Sequence, residues 1–173
     1  TETDDEFDVG WNGWQTLASG TPIGWFYPEG PYPVGSIQRW FGTGYFMVTP
    51  AFHRAPLMPL LAGVASRWGG ADSLFEVKLK DIRVPAIALS LLTLGAVYLA
   101  SLRMFGTNTA LFAGLLYATL PMIVVGNRLC KEENALTPLF ILALLVADYA
   151  AQSARPRRWL YICGALSGCA ILA

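Results

Sequence analysis

Four long apolar stretches constrain the fold of this chain more than any other feature of its sequence. They cover residues 84–102, 109–126, 135–151 and 159–173. Each complete stretch holds roughly 17 to 20 residues, close to the minimum for a helix that crosses a lipid bilayer. We therefore predict four transmembrane helices, the fourth truncated. Because the chain begins at Thr1 rather than Met and ends inside an apolar stretch, we expect a fragment of a longer protein.

The composition favours a membrane protein and argues against a nucleic-acid partner. Of the 173 residues, 54% are hydrophobic and only 14% are charged, which is more apolar surface than a soluble core needs. The first thirty residues contain several acidic side chains and no lysine or arginine, the opposite of a nucleic-acid-binding surface. The three cysteines, Cys130, Cys163 and Cys169, have the spacing of neither a disulfide framework nor a zinc site.

The basic residues Arg155, Arg157 and Arg158 indicate how the chain is oriented in the membrane. Clusters of this kind are typical of short cytoplasmic loops, so we predict that the loop carrying them faces the cytoplasm. Counting back across the predicted helices places residues 127–134 on the opposite side of the membrane. Residues 1–82 are then extracytoplasmic as well.

The segment of residues 1–82 is rich in aromatic side chains, which favour the headgroup region of a bilayer. Its patterning predicts short helices over residues 9–19 and 56–67 that lie along the membrane surface, and a Gly- and Pro-rich loop over residues 20–35. The expected fold is all-α. It is a polytopic transmembrane helix bundle (residues 83–173) with an extracytoplasmic first loop that carries interfacial helices.

The cluster Asp4-Asp5-Glu6-Phe7-Asp8 is the first candidate for chemistry. Like charges held this close raise one another's pKa, so one of these carboxylates could serve as a general base. An alternative is a solvated acidic turn ahead of an interfacial helix. Carboxylates of Asp4, Glu6 and Asp8 could also bind a divalent cation, although their spacing matches no defined loop. No metal site or other cofactor is predicted beyond that option.

The short loop of residues 127–134 is densely charged although it lies on the side of the membrane that is usually poor in basic residues. Arg128 and Lys131 could bind an anion such as a lipid phosphate. Alternatively, Arg128 pairs with Glu132 or Glu133 one helical turn later.

His53 is the only histidine of the chain. Without partners of its own type it is a weak metal candidate, and a packing or hydrogen-bonding role suits it better.

Five short motifs follow one another along the chain: Asp5-Glu6, Ser19-Gly20-Thr21-Pro22, His53-Arg54-Ala55-Pro56-Leu57, Arg83-Val84-Pro85, and Arg128 with Glu133. In this order they resemble the polytopic glycosyltransferases that use lipid-phosphate sugars, the GT-C superfamily. This superfamily includes protein O-mannosyltransferases and bacterial aminoarabinose transferases. The third motif departs from the family's His-Pro-Pro-Leu phrase by an insertion and a lost proline, and many members have Asp where Glu133 stands.

The resemblance implies a sugar transferase of the cell membrane, in bacteria the inner membrane. The donor would be a polyprenyl-phosphate sugar, and the acceptor a hydroxyl of a lipid, a glycan or a protein. Asp5 would be the catalytic base and Glu6 would orient the site. Arg128 would steady the leaving phosphate or the acidic pair.

Weaker candidates for the phosphate are Lys131 and Arg83. His53 and Glu133, which stand at motif positions, complete the implied substrate-binding set.

Two other classes of protein fit the same apolar pattern. A transporter would carry polar or ionisable groups inside its membrane helices, and the first two predicted helices have no charged residue. A noncatalytic membrane subunit would leave the acidic cluster without a task.

Overall fold

The computed structural model of the protein describes residues 2–25, 36–40 and 43–173. The chain forms two compact units, Thr1–Pro85 and Ala86–Ala173. The division falls within a single long helix.

The first unit combines helices with a small sheet. Its elements are helix α1 (Glu2–Ser19), strands β1 (Gly24–Trp25), β2 (Ser36–Trp40) and β3 (Thr43–Val48), helix α2 (Leu57–Trp68), a 3-10 turn (Leu74–Glu76) and the beginning of helix α3 (Leu79–Phe105).

Helix α1 is longer than the sequence predicted. It begins at Glu2 rather than near Val9, so the acidic cluster lies inside the helix and not in a turn before it. Acidic side chains in the first turns of a helix interact favourably with the positive end of its dipole, which accounts for the earlier start. Helix α2 lies within one residue of the predicted range, residues 56–67.

The three-stranded antiparallel sheet was not predicted. Its strand order is β1-β3-β2, with Gly24 opposite Val48 and Ser36 opposite Met47. Strand β1 lies within the predicted loop of residues 20–35, of which residues 26–35 are outside the described part of the chain. The β-branched and aromatic residues of β2 and β3 are typical of strands, but the strands are short and lack a clean alternation.

Helices α1 and α2 pack with their backbones in close contact at Gly13 and Gly63. A Cβ atom built on Gly13 would overlap the carbonyl oxygen of Pro59, and one on Gly63 would overlap the Gly13 backbone. Beside this crossing, the buried Trp11 ring stacks on Phe7 with ring centroids 5.7 Å apart. The absence of side chains at the two glycines is therefore what allows the helices to approach.

The second unit is helical throughout and contains the remainder of α3. Its other helices are α4 (Thr107–Thr119), α5 (Pro121–Gly126), α6 (Glu133–Gln152) and α7 (Pro156–Ile171). The predicted second transmembrane helix, residues 109–126, is broken into α4 and α5 at Leu120, whose ψ of 118° is extended. Proline disfavours the helical conformation of the residue before it, so Pro121 ends one helix and starts the next.

Side-chain contacts join α3, α6 and α7 at one end of the second unit. Arg103 donates through Nε to Asp148 at 2.6 Å and through Nη2 to Gln152 at 2.7 Å. Its guanidinium also lies 4.2 Å from the centroid of the Tyr149 ring, which stacks on Trp159. Asp148 is thus partnered within the protein.

Two helices of the described chain, α3 and α6, are long and apolar enough to cross a membrane. Their apolar windows have mean hydropathies of 1.9 and 1.6, and only 17% and 22% of these windows are buried in the structure. A core helix of a soluble protein would be mostly buried, so this exposure favours contact with lipid. The predominance of helices confirms the predicted all-α membrane fold, and the number of membrane crossings stays a prediction.

The close crossing of α1 and α2 makes a testable prediction. Replacing Gly13 by alanine forces a methyl group against the backbone of Pro59. We expect the free energy of unfolding to fall by about 1–3 kcal/mol, the range typical of overpacking, measured by thermal unfolding in detergent.

The matched control is Gly95→Ala in α3, where an added Cβ meets no atom within 4 Å. That variant should be at least as stable as the wild type, because alanine favours a helix over glycine by roughly 0.5–1 kcal/mol. Equal stability of the Gly13→Ala variant and the wild type would contradict the close crossing.

Candidate functional site

Asp8 is the carboxylate at the C-terminal end of the acidic cluster. Its side chain is only 3% exposed and accepts hydrogen bonds from three donors. The backbone N–H of Trp25 and Nε of Arg54 each lie 2.6 Å from a carboxylate oxygen, and Nε2 of His53 lies 3.0 Å from one. Asp8 thereby connects α1 to β1 and to the segment that precedes α2.

The environment of Asp8 favours its charged form. Burial by itself raises the pKa of this carboxyl group, but the hydrogen bonds from His53 and Trp25 and the positive charge of Arg54 outweigh that effect. The pKa of Asp8 therefore lies below its ordinary value. A buried carboxylate that stays ionised keeps the guanidinium of Arg54 in place.

Glu6 is the second buried carboxylate of the cluster. It is fully buried, and Arg83 from the first turns of α3 donates to both of its oxygens, from Nε at 2.9 Å and from Nη2 at 2.6 Å. Such a bidentate arrangement is the strongest form of this pair. Glu6 and Arg83, predicted to be a catalytic and a substrate-binding residue, are thus brought together as an ion pair.

Asp5 differs from both of these carboxylates because its side chain is 66% exposed. Nη2 of Arg54 lies 3.7 Å from its Oδ1 atom. Within the described side chains, which exclude that of Asp4, Asp5 is the accessible carboxylate of the cluster. A solvated acidic turn is therefore the wrong description, since Glu6 and Asp8 are buried.

The charged loop of residues 127–134 lies in the second unit. Arg128 is exposed and forms no ion pair with Glu132, Glu133 or any other residue in the described part of the chain. Lys131 and Glu133 line a cavity of about 410 Å³. The alternative in which Arg128 pairs with an acidic residue one turn later is thus wrong for this structure.

Hydroxyl groups from two helices hold the start of this loop. Ser90 of α3 donates to the carbonyl oxygen of Asn127 at 3.1 Å, and Tyr117 of α4 donates to its Oδ1 atom at 3.2 Å. Both hydroxyl-bearing residues also line the cavity, as does Thr93. Polar side chains within apolar helices therefore fix the backbone next to Arg128.

No group of three or more His, Cys, Asp or Glu side chains that could hold a metal ion occurs among the described residues. Glu6 and Asp8, considered above as possible cation ligands, direct their oxygens at cationic or N–H donors instead. The side chain of Asp4, the third possible ligand, lies outside the described residues.

Comparison with known families adds to this geometry. Residues 67–173 match the family described as dolichyl-phosphate-mannose-protein mannosyltransferase. The chain belongs to this mannosyltransferase family. No characterised protein and no solved structure gives a significant match. Membership identifies the protein as a membrane glycosyltransferase of the mannosyltransferase type and confirms the resemblance to the GT-C superfamily.

The matched range of the mannosyltransferase family divides the predicted motifs into two groups. Arg83, Arg128, Lys131 and Glu133 fall inside it, whereas Asp5, Glu6 and His53 lie in residues 1–66, which precede it. The contacts of Glu6 with Arg83 are therefore a link between the acidic cluster and the segment that defines the family.

Sequence reasoning did not single out Arg54, and for Asp8 it offered only the options shared by the cluster, a general base or a cation ligand. Arg54 was hard to identify from the sequence. A single arginine next to a proline-containing segment forms no motif with a distinctive spacing. His53 makes a hydrogen bond to Asp8, the kind of role that the residue type suggested on its own. Its assignment to substrate binding stays a prediction.

The Glu6–Arg83 pair predicts a large effect of removing the arginine. Arg83→Ala leaves a fully buried carboxylate without its bidentate partner. Breaking a buried pair on one side typically destabilises a protein by about 3–5 kcal/mol, and the partial exposure of Arg83 points to the lower end. Thermal unfolding in detergent measures the change.

Lys80→Ala, an exposed substitution on the same helix, serves as the control and should change stability little. The double variant Glu6→Leu with Arg83→Met should recover most of the loss, because the substitution of Glu6 removes the carboxylate that Arg83→Ala leaves without its partner. Equal stabilities of Arg83→Ala and Lys80→Ala would show that the pair is unimportant.

The lowered pKa of Asp8 predicts a pH dependence of stability. A carboxyl group whose pKa is depressed by folding contributes stability above its unfolded value of about 3.9. That contribution is lost as the pH falls through the folded value. We therefore expect the melting temperature of the wild type to fall more steeply below about pH 4 than that of Asp8→Asn.

The measurement is thermal unfolding in detergent between neutral and acidic pH. Asp72→Asn, which removes an exposed carboxylate from the same unit, should keep the wild-type slope. Parallel curves for the wild type and Asp8→Asn would contradict a depressed pKa at Asp8.

Proposed function

We propose that this protein transfers a sugar from a polyprenyl-phosphate donor to a hydroxyl group of a lipid, glycan or protein. The reaction takes place at the extracytoplasmic face of the membrane, and Asp5 is its general base. The observation that carries the proposal is the difference between the three described carboxylates of the cluster. Glu6 and Asp8 are buried and bonded, whereas Asp5 is open to solvent.

The chemistry requires a carboxylate with an accessible lone pair. The acceptor hydroxyl attacks the anomeric carbon, its proton passes to Asp5, and the bond from that carbon to the phosphate oxygen breaks. The leaving group is the polyprenyl phosphate. Both oxygens of Glu6 already accept hydrogen bonds from Arg83, so Glu6 serves to hold Arg83 and α1 rather than to remove a proton.

The phosphate of the donor carries negative charge, and the loop of residues 127–134 offers cations for it. Arg128 is exposed, and Lys131 lines the 410 Å³ cavity together with Ser90 and Thr93. Guanidinium and ammonium groups bind phosphate through charge-assisted hydrogen bonds. We assign Arg128 as the first phosphate ligand and Lys131 as the second, with Glu133 also lining the cavity.

The membrane arrangement rests on the charge distribution. Arg155 precedes α7, Arg157 and Arg158 lie in its first turn, and all three are exposed, as expected for a cytoplasmic loop. With that loop inside, the segment that contains the acidic cluster is extracytoplasmic. The exposed aromatic rings of Phe52 and Trp68 suit contact with headgroups. The protein is then a multi-pass protein of the cell membrane.

The test is release of polyprenyl phosphate from a panel of radiolabelled donors by the complete protein in membranes. Asp5→Asn should lower release by roughly 10²- to 10⁴-fold, the usual contribution of a general base. Arg128→Ala should lower it as well, because a charge-assisted contact to the phosphate is lost. Variants are compared at the expression level of the wild type, and their melting temperatures are measured to show that they fold.

The control variant is Asp72→Asn, which removes an exposed carboxylate of the same unit and should keep full release. The donor whose phosphate appears identifies the sugar. No release from any donor, or unchanged release by Asp5→Asn, would overturn the assignment of Asp5.

A further inference from the structure

Arg54 stands at the point where this chain departs from the family's His-Pro-Pro-Leu phrase. The structure places it between two acidic residues of α1. Its Nε donates to Oδ2 of Asp8 at 2.6 Å, and its Nη2 lies 3.7 Å from Oδ1 of Asp5. The arginine therefore connects a buried carboxylate to the exposed one.

The two contacts differ in strength. Asp8 is 3% exposed and Arg54 is 18% exposed, so the bond between them is shielded from water and short. The contact with Asp5 is longer and solvent-exposed, and a pair of that kind contributes little to stability by itself. The contact can nevertheless set the orientation of Asp5, because Asp8 already holds the side chain of Arg54 in one conformation.

The shape of the guanidinium group makes this connection directional. It is planar and rigid, and its N–H groups point in fixed directions. With Nε held by Asp8, the direction of Nη2 is fixed too. Asp5 lies in the first turns of α1, where an exposed side chain otherwise samples several rotamers. A fixed cation on one side favours the rotamer that faces it.

We propose that Arg54 is a positioning residue for Asp5, and that Asp8 fixes Arg54 for this purpose. The inference rests on the proposed role of Asp5 as the general base. Arg54 narrows the range of orientations of the base carboxylate, so that its lone pair meets the acceptor hydroxyl at the required angle. Misplacing a reacting group by about 1 Å can lower a rate by about 10²-fold.

A lysine at this position cannot do the same. Its ammonium group is a single point charge on a flexible stem, so it can pair with Asp8 but cannot direct a second rigid N–H toward Asp5. Arg54→Lys therefore separates the charge of the residue from its shape.

The experiment measures kcat and KM for polyprenyl phosphate release by the complete protein in membranes, in a double-mutant cycle of Arg54→Gln and Asp5→Asn. We expect Arg54→Gln alone to lower kcat by about 10- to 100-fold with little change in KM. In the Asp5→Asn background, Arg54→Gln should have no further effect on kcat, because the group that it positions is absent. Arg54→Lys should lower kcat nearly as much as Arg54→Gln.

Control variants and melting temperatures separate a loss of positioning from a loss of charge or of folding. Lys78→Gln removes an exposed cation of the same unit and should leave kcat unchanged. Melting temperatures identify variants that fail to fold, and Arg54→Lys keeps a cation beside Asp8 if Arg54→Gln is unstable. The positioning role would be overturned if the reductions in kcat caused by Arg54→Gln and Asp5→Asn multiply in the double variant, or if Arg54→Lys is fully active. Either result would leave Asp5 as the base. Unchanged release by Asp5→Asn would instead overturn the base assignment, and the positioning role with it.

Discussion

Two buried carboxylates on helix α1 hold the first unit of this protein together. An ionised carboxylate inside a protein is strongly unfavourable unless cations and N–H donors surround it. Glu6 meets this requirement with Arg83, and Asp8 meets it with His53, Arg54 and the backbone of Trp25. These partners come from distant parts of the chain, so satisfying the two charges also fixes where the first turns of α3, β1 and the segment before α2 lie against α1.

The need of a buried carboxylate for cations and N–H donors gives neighbouring acidic residues different roles. Like charges so close in sequence repel each other, and burial with a cation relieves the repulsion at Glu6 and Asp8. Asp5 keeps an exposed carboxylate beside the outer edge of Arg54. Through Arg54, the buried carboxylate of Asp8 is thus connected to the exposed carboxylate of the proposed base.

The sequence anticipated the helices better than it anticipated their interruptions and the sheet. Long apolar runs predicted α3 and α6, because hydropathy is a local property that a window of residues reports directly. The break at Leu120 follows from Pro121, although the apolar stretch of residues 109–126 continues on both sides of the proline. The sheet was missed because strands as short as Gly24–Trp25 form only when a distant segment pairs with them.

The sequence by itself determined the apolar helices, the clustered acids and the motifs, and the match over residues 67–173 confirmed the family. Of the five motifs, that range contains Arg83-Val84-Pro85 and Arg128 with Glu133. These features are local or ordered along the chain, and they can be read without knowing which residues meet. Only the tertiary structure decided that Arg83 binds Glu6, that Arg54 joins Asp8 to Asp5 and that Arg128 pairs with neither nearby glutamate among the described residues. The partners of buried charges are chosen by distance in space, and the four acidic residues among positions 4–8 carry no information in the sequence about which of them the fold will bury.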